Sequence, residues 1–349
     1  MDVRKVQRFG KSTLMVSLPA DWVKTVNLKP GTSVYIDVEE DGSLKIFPPN
    51  YNPQNLKKEI TVKVSERTDP ELLDRVLRSL YVLGYDGITI VSENGIISNE
   101  IMRKTRALVR DLIGLEMITQ DLQTIEVKSY IDPAKHNFNT IFSQFVSNLK
   151  LMVTYLSYGI KNASRRFIEE VIELEKEIDR LYYLALRQLI LAQTNRNLAY
   201  LMGIPTVQII GNRIIIKSLE EAADDISEAA NDLLSLPPET LSMLQEYYDK
   251  LSVLLSQMET VIDHISKLKA EWKLELANEV LEELRVLRKT LLVEAESLQA
   301  SLTDKKKVKV STKAVGFLLR LYSAVRKLEP IAEISINRSL ENMREVNIA

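Results

Sequence analysis

The sequence predicts a multidomain α+β protein with three regions: an N-terminal swapped-hairpin β-barrel formed as a dimer, a small α/β middle domain, and an all-α remainder of tandem three-helix bundles. Three observations carry this reading. Short alternating apolar segments separated by turn residues fill residues 1–48. Strand-like and helix-like segments then alternate over residues 57–132. From Pro133 onward the apolar pattern keeps a spacing of three and four, with scarcely any Gly or Pro inside the periodic runs.

In the first region, Ser33 to Val38 and Ser43 to Phe47 alternate clearly, and Thr13 to Leu18 does so imperfectly. Asp41-Gly42 between the clear pair is a hairpin signal. Pro19 opens a short helix over Ala20 to Val26, and Pro30-Gly31 ends the connection after it. Pro48 to Asn55, rich in Pro and Asn, reads as a linker. In the middle region, strands are expected at Glu59 to Val64 and Gly87 to Val91, with two more between Glu116 and Tyr130. Helices are expected at Asp69 to Leu83, capped by Thr68-Asp69, and at Glu100 to Ile113. Breaks near Asn162, Gly203-Ile-Pro205, Pro237-Pro238, Lys267 to Lys269 and Thr303-Asp304 cut the remainder into six long helices. They fall into two triplets, residues 133–236 and 237–345. Phe167, Val171, Leu174, Ile178, Leu181 and Ala185 form one bundle seam.

Composition removes several kinds of chemistry. The 349 residues contain no cysteine, which excludes disulfides, thiolate metal sites and cysteine nucleophiles. His136 and His264 are the only histidines, too few for a His-rich metal site. With 46 basic and 48 acidic residues the net charge is -2, so the chain does not coat nucleic acid along its whole length. No apolar stretch reaches the roughly 18 to 20 residues of a membrane span, and the start has no signal-peptide pattern. A soluble, cytoplasmic protein that is not membrane-embedded is the expectation. Gly10-Lys11-Ser12 mimics the end of a phosphate loop, but the required earlier glycine would fall at Lys5.

Fewer than fifty residues of hairpin cannot bury enough surface alone, so the N-terminal region is expected to interleave with a second copy as a homodimer. Arg4, Lys5, Arg8 and Lys11 cluster against only Asp2, and Lys24 follows on the short helix. A two-fold axis would double that cluster into a basic face suited to double-stranded DNA. Residues 3–48 resemble the AbrB/MazE family of swapped-hairpin domains, also called SpoVT-AbrB. The resemblance rests on Arg4-Lys-Val-Gln-Arg-Phe-Gly-Lys-Ser, Val16-Ser-Leu-Pro-Ala-Asp-Trp, Leu28-Lys-Pro-Gly and Asp41-Gly42, in that order. It implies DNA contacts from Arg4, Lys5, Arg8 and Lys11. The basic pair of the family's short helix is incomplete, with Lys24 present and Val23 where a second basic residue would stand.

Two acidic patterns stand out in the first helical triplet. Glu175 and Asp179 lie one turn apart, each following an apolar seam residue, and Glu220 and Asp224 repeat the arrangement beside the small Ala222 and Ala223. Packed side by side, such helices would bring four carboxylates to one spot, where they repel unless a cation intervenes. About six or seven acidic pairs at this spacing are expected by chance in such a chain, so spacing alone does not single these out. Residues 134 to about 343 are similar to PhoU proteins, on Glu175-x-Glu-Ile-Asp179-x-Leu and Leu219-Glu220-x-x-x-Asp224 and on the repeat count. The resemblance implies two three-helix repeats, iron, zinc or other metals held by Glu175, Asp179, Glu220 and Asp224, and control of phosphate uptake. The combination with the N-terminal domain resembles the archaeal type. Without nearby histidine, carboxylate oxygens favour magnesium, manganese, calcium or ferric iron over zinc. In the second triplet Glu279, Glu283, Glu329 and Glu333 depart from the pattern, and Pro330 is expected to kink its helix.

The expected function is a DNA-binding regulator of phosphate uptake whose helices sense metal, phosphate status or a transporter. The alternative is a non-DNA-binding adaptor acting on a phosphate ABC transporter or its signalling partner. An enzyme, with paired carboxylates holding a di-metal hydrolase site, lacks an accompanying nucleophile or acid–base pair. The expectation is therefore no catalysis.

Overall fold

The computed structural model describes residues 3–38, 42–48, 58–93, 95–237, 248–270, 273–300, 308–341, 343 and 345–346. Asp41, most of the Pro48–Asn55 linker, Pro238 and the Thr303-Asp304 break lie outside them. The chain divides into two compact units, Met1–Lys57 and Lys58–Ala349.

The first unit consists of two antiparallel hairpins around a single helical turn and a half. Strand β1 (Gln7–Phe9) pairs with β2 (Thr13–Met15), and helix α1 (Ala20–Thr25) follows. Strand β3 (Tyr35–Val38) then pairs with β4 (Leu44–Phe47). The turns use glycine where the backbone needs a positive φ: Gly10 at 71° and Gly42 at 78°. Within the one chain the hairpins remain separate two-stranded sheets. No described residue of this unit is buried, and Val6, Phe9, Leu14, Ile36, Val38 and Leu44 are all exposed.

The second unit opens with the α/β region. Strand β5 (Glu59–Val64) crosses over through α2 (Pro70–Val82) to the parallel β6 (Gly87–Ser92). Helix α3 (Asn99–Asp111) leads to the hairpin of β7 (Leu115–Gln120) and β8 (Thr124–Ser129), giving the sheet order β5-β6-β8-β7. Asp69 caps α2 by accepting from the Glu71 amide, and Ser98 caps α3 by accepting from that of Ile101. Inward residues Val64, Ile88, Ile90, Ile125 and Val127 are buried with Leu73, Leu77 and Leu108 of the two helices. The alternate strand positions carry Thr61, Thr89, Glu126 and Lys128, the polar face of a two-layer fold.

Among the described residues six long helices follow, as the periodicity predicts: α4 (Phe138–Lys161), α5 (Arg165–Thr194), α7 (Ile209–Leu234), α8 (Tyr248–Ala270), α9 (Leu274–Ala300) and α10 (Val308–Leu340). A short α6 (Arg196–Leu201) occupies the connection before Gly203. The seam residues Val171, Ile178, Leu181 and Ala185 are buried, and Phe167 and Leu174 are partly so. One sequence boundary shifts. Lys267 and Lys269 lie in the last turn of α8 rather than in the break; the exposed Lys267 is placed where cations complement the terminal carbonyls. Helix α10 runs on through Pro330, which lies inside it as expected. Leu328, Ile331 and Ala332 are buried on either side, and that packing offsets the single hydrogen bond Pro330 cannot make.

Arg187 of α5 joins the α/β region to the helices. It is 1% exposed and its Nη1 donates to the carbonyls of Tyr81 and Tyr85 at 2.7 and 2.9 Å. Nη2 donates to Asp86 Oδ1 at 2.7 Å, and the guanidinium lies 5.1 Å from the Tyr81 ring centroid. Burial lowers its pKa while Asp86 opposes the shift, so the buried cation persists only with these partners in place.

Candidate functional site

Helices α5 and α7 pack against one another, and Val171, Ile178 and Leu181 of the first and Ala222, Ala223 and Ile226 of the second are buried. The two alanines allow a close approach, and the polar positions beside the seam then face one another. Glu175, Asp179 and Asp224 are brought together: one carboxylate oxygen from each lies within 4.8 Å of the others. All three side chains are partly buried.

Glu220 belongs to the same patch but is engaged differently. Lys217, one turn earlier on α7, donates to its Oε2 at 2.6 Å and also reaches Glu221 at 3.4 Å. The ammonium also lies 5.4 Å from the Tyr182 ring centroid. The tight cluster among the described residues is therefore the other three acids.

The electrostatics follow from crowding. Burial pushes Glu175 up to about 7, and the neighbouring charges of Asp179 and Asp224 push the same way. Asp179 is raised by burial and by Asp224, with Arg78 and Lys217 pulling it back. Asp224 is raised by burial, against Lys217 and Lys327. Glu220 is raised by burial and lowered by its bond from Lys217. Three half-desolvated oxygen donors that disfavour one another's charge suit a hard cation such as magnesium, manganese, calcium or ferric iron. They lack the nitrogen or sulfur ligands usual for zinc.

Two cations beside this site escaped the sequence reading. Lys217 stands three residues before Glu220, a spacing that could have flagged it. Arg78 comes from α2 of the α/β region, bonding Asp74 at 2.8 Å and Asp111 at 2.9 Å and lying 5.1 Å from the Tyr183 ring centroid. No local pattern reveals a partner a hundred residues away.

The second triplet uses its acids otherwise. Glu283 meets His264 Nδ1 at 2.7 Å, and Glu329 pairs with Arg288 at 2.9 Å. These carboxylates have partners from the chain itself. His136 contributes its backbone carbonyl to Gln188 at 3.4 Å.

On the first unit, Arg4, Lys5, Arg8, Lys11 and Lys24 are all exposed. Arg8 sits in β1 opposite Leu14, Lys11 in the turn after it, and Lys24 in the last turn of α1. Arg4 Nη1 donates to Ser17 Oγ at 3.3 Å, tying the start of the chain to the segment after β2.

Comparison with known families bears on both units. Residues 7–54 match the family described as antidote-toxin recognition MazE, bacterial antitoxin, and residues 142–233 match the PhoU domain. No curated protein and no solved structure matches the chain. Among the described residues no helix is long and apolar enough to cross a membrane. The protein thus carries a MazE/AbrB-like domain at its start and a PhoU domain over the helices that hold Glu175, Asp179 and Asp224.

Proposed function

We propose that this protein is a cytoplasmic, homodimeric DNA-binding regulator of phosphate uptake. Its PhoU-like helices would sense a metal ion, phosphate status or a transporter. One observation carries the reading: a MazE/AbrB-like unit that buries none of its described residues displays Arg4, Lys5, Arg8, Lys11 and Lys24 together with a set of bare apolar side chains. The apolar residues call for a second chain, and pairing doubles the basic ones for phosphate contacts. In the helical region the carboxylate cluster supplies the metal-binding reading, with Glu175, Asp179 and Asp224 as ligands and Glu220 reached once Lys217 yields it.

Binding of duplex DNA from phosphate-transport promoters, measured at several salt concentrations, tests the proposal. Four phosphate contacts give a log–log salt slope of about −4. Arg8→Ala with Lys11→Ala flattens the slope and weakens binding to all sequences alike, since backbone contacts carry no sequence information. Wild-type protein that retards duplex DNA no better than the double variant at about 0.1 M salt would sink DNA binding. Co-purification of a transporter or kinase subunit in that case would establish the adaptor instead.

A further inference from the structure

Where α7 begins and α10 ends, the second unit carries an open groove and, behind it, a dry cavity, and Arg338 lines both. The groove encloses about 290 Å³, with Val207, Ile210 and Ile214 on one wall and Ile334 on the other. Val207 and Ile210 are 69% and 75% exposed, apolar surface left to water at the mouth of a concavity. Gly211 keeps the groove open: a Cβ there would come within 3.0 Å of Ile334 and 3.1 Å of Arg338.

The cavity behind is too narrow anywhere for a water molecule and is lined by Phe138, Phe142, Ile215, Ile265 and Ile331. Lys269 extends into it, with Nζ 4.1 and 4.7 Å from the centroids of Phe138 and Phe142. That nitrogen is shielded from solvent and has no hydrogen-bond partner among the described residues. The ring faces attract its charge but accept no conventional hydrogen bond. The charged neighbour that acts on Lys269 is a second cation, Arg338, which donates to the Gln208 carbonyl at 3.2 Å and to Asn212 Oδ1 at 2.7 Å. Among the described residues one acid lines the groove, Glu341; it accepts from the Gln208 side chain at 3.4 Å, and its charge favours the charged form of Arg338.

Arg338 thus stands at the inner end of a groove with apolar walls, and Lys269, with no hydrogen-bond partner among the described residues, stands in the cavity behind it. We infer that this end of the bundle binds a small amphiphilic monoanion, a carboxylate with an aliphatic tail. Its head meets Arg338, with Lys269 behind, and its tail covers Val207, Ile210 and Ile214. The groove lies at the lower end of ligand-pocket sizes, about 300 to 1,000 Å³, which favours a short tail. Glu341 opposes a second negative charge.

Calorimetric titration of the full chain with octanoate, octanol and inorganic phosphate is the test. Octanoate is expected to bind with a dissociation constant between about ten micromolar and one millimolar. Octanol, lacking the charge, binds at least about tenfold more weakly, and phosphate gives no saturable heat. Ile210→Glu sets a carboxylate at an exposed position in the groove and weakens octanoate at least about tenfold without disturbing the core. Arg338→Gln does the same where it folds, and Ile210→Glu decides the matter where it does not. Absence of octanoate binding, unchanged affinity in Ile210→Glu, or displacement of octanoate by equimolar phosphate would overturn the assignment.

Discussion

The two units treat their apolar side chains in opposite ways. In the N-terminal unit Leu14 and Val38 are each 68% exposed and no described residue is buried. In the helical region Phe145, Met152, Ile178, Ile226, Ile262 and Val325 are entirely shielded within one continuous core. Length explains the contrast. A hairpin of three or four residues per strand has two faces and nothing to lay over either, whereas helices of 23 to 33 residues cover one another for their whole length. One unit completes its core within the chain, and the other leaves its described apolar side chains exposed, which the proposed dimer would cover.

Removing Met1 to Asn50 breaks the comparison most directly. Light scattering is expected to show a dimer for the full chain and loss of self-association, about a thousandfold or more, for the truncated one. Ile36→Asp sharpens the same point. In a monomer this exposed side chain tolerates the charge, so a dimer that dissociates on this change locates the missing core at the hairpins. A full chain that is monomeric at micromolar concentration would refute the pairing.

The second unit should behave as one body because Arg187 ties its two regions. Arg187→Met strands the Tyr81 and Tyr85 carbonyls and leaves Asp86 unpaired. Denaturant unfolding is expected to register a loss of about 3 kcal/mol. Two separate transitions in the variant, against one in the wild type, would show that this residue couples the regions.

Lys269 works in the other direction. Burial and the charge of Arg338 bring its pKa down to about 7, below the ordinary lysine value it has when unfolded. Below pH 7 the group is charged in both states and folding bears the whole cost of burying it. Between about 7 and the unfolded value the unfolded chain binds more protons, so stability rises with pH. Lys269→Met is therefore expected to stabilise the protein by about 2 kcal/mol near pH 6, with the advantage fading toward pH 10. An advantage that does not change with pH would mean the ring faces already compensate the charge.

The smallest effect concerns the carboxylate cluster. Glu175 titrates near 7 in the folded chain, above its unfolded value, so the metal-free protein loses stability as pH rises from about 4.5 through 7. Asp179→Asn with Asp224→Asn is expected to abolish metal loading while raising the metal-free melting temperature by about 2 °C at neutral pH. Elemental analysis after loading and a thermal melt read the two consequences separately. Unchanged loading would reduce the cluster to a solvated acidic face.

Much of this molecule was legible in order along the chain. The strands at Glu59 and Gly87, the capped helix after Asp69, the six long helices and the seam from Val171 to Ala185 each follow from a period of two or 3.6 and from local caps. Those patterns are local, and short-range sterics and hydrogen bonding enforce them wherever the chain goes. The sequence also determined the pairing of Glu175 with Asp179 and of Glu220 with Asp224, one turn apart on their own helices. Only the tertiary structure decided which of the four share a space and which cations stand beside them. Helix rotation about the Ala222–Ala223 seam brings Asp224 to Glu175 and Asp179, and Lys217 draws Glu220 aside. Arg78, Arg187 and Lys269 acquire their roles from partners roughly a hundred residues away or from the absence of water in a cavity. Desolvation and charge proximity depend on distances across the fold, and spacing along the chain does not encode them.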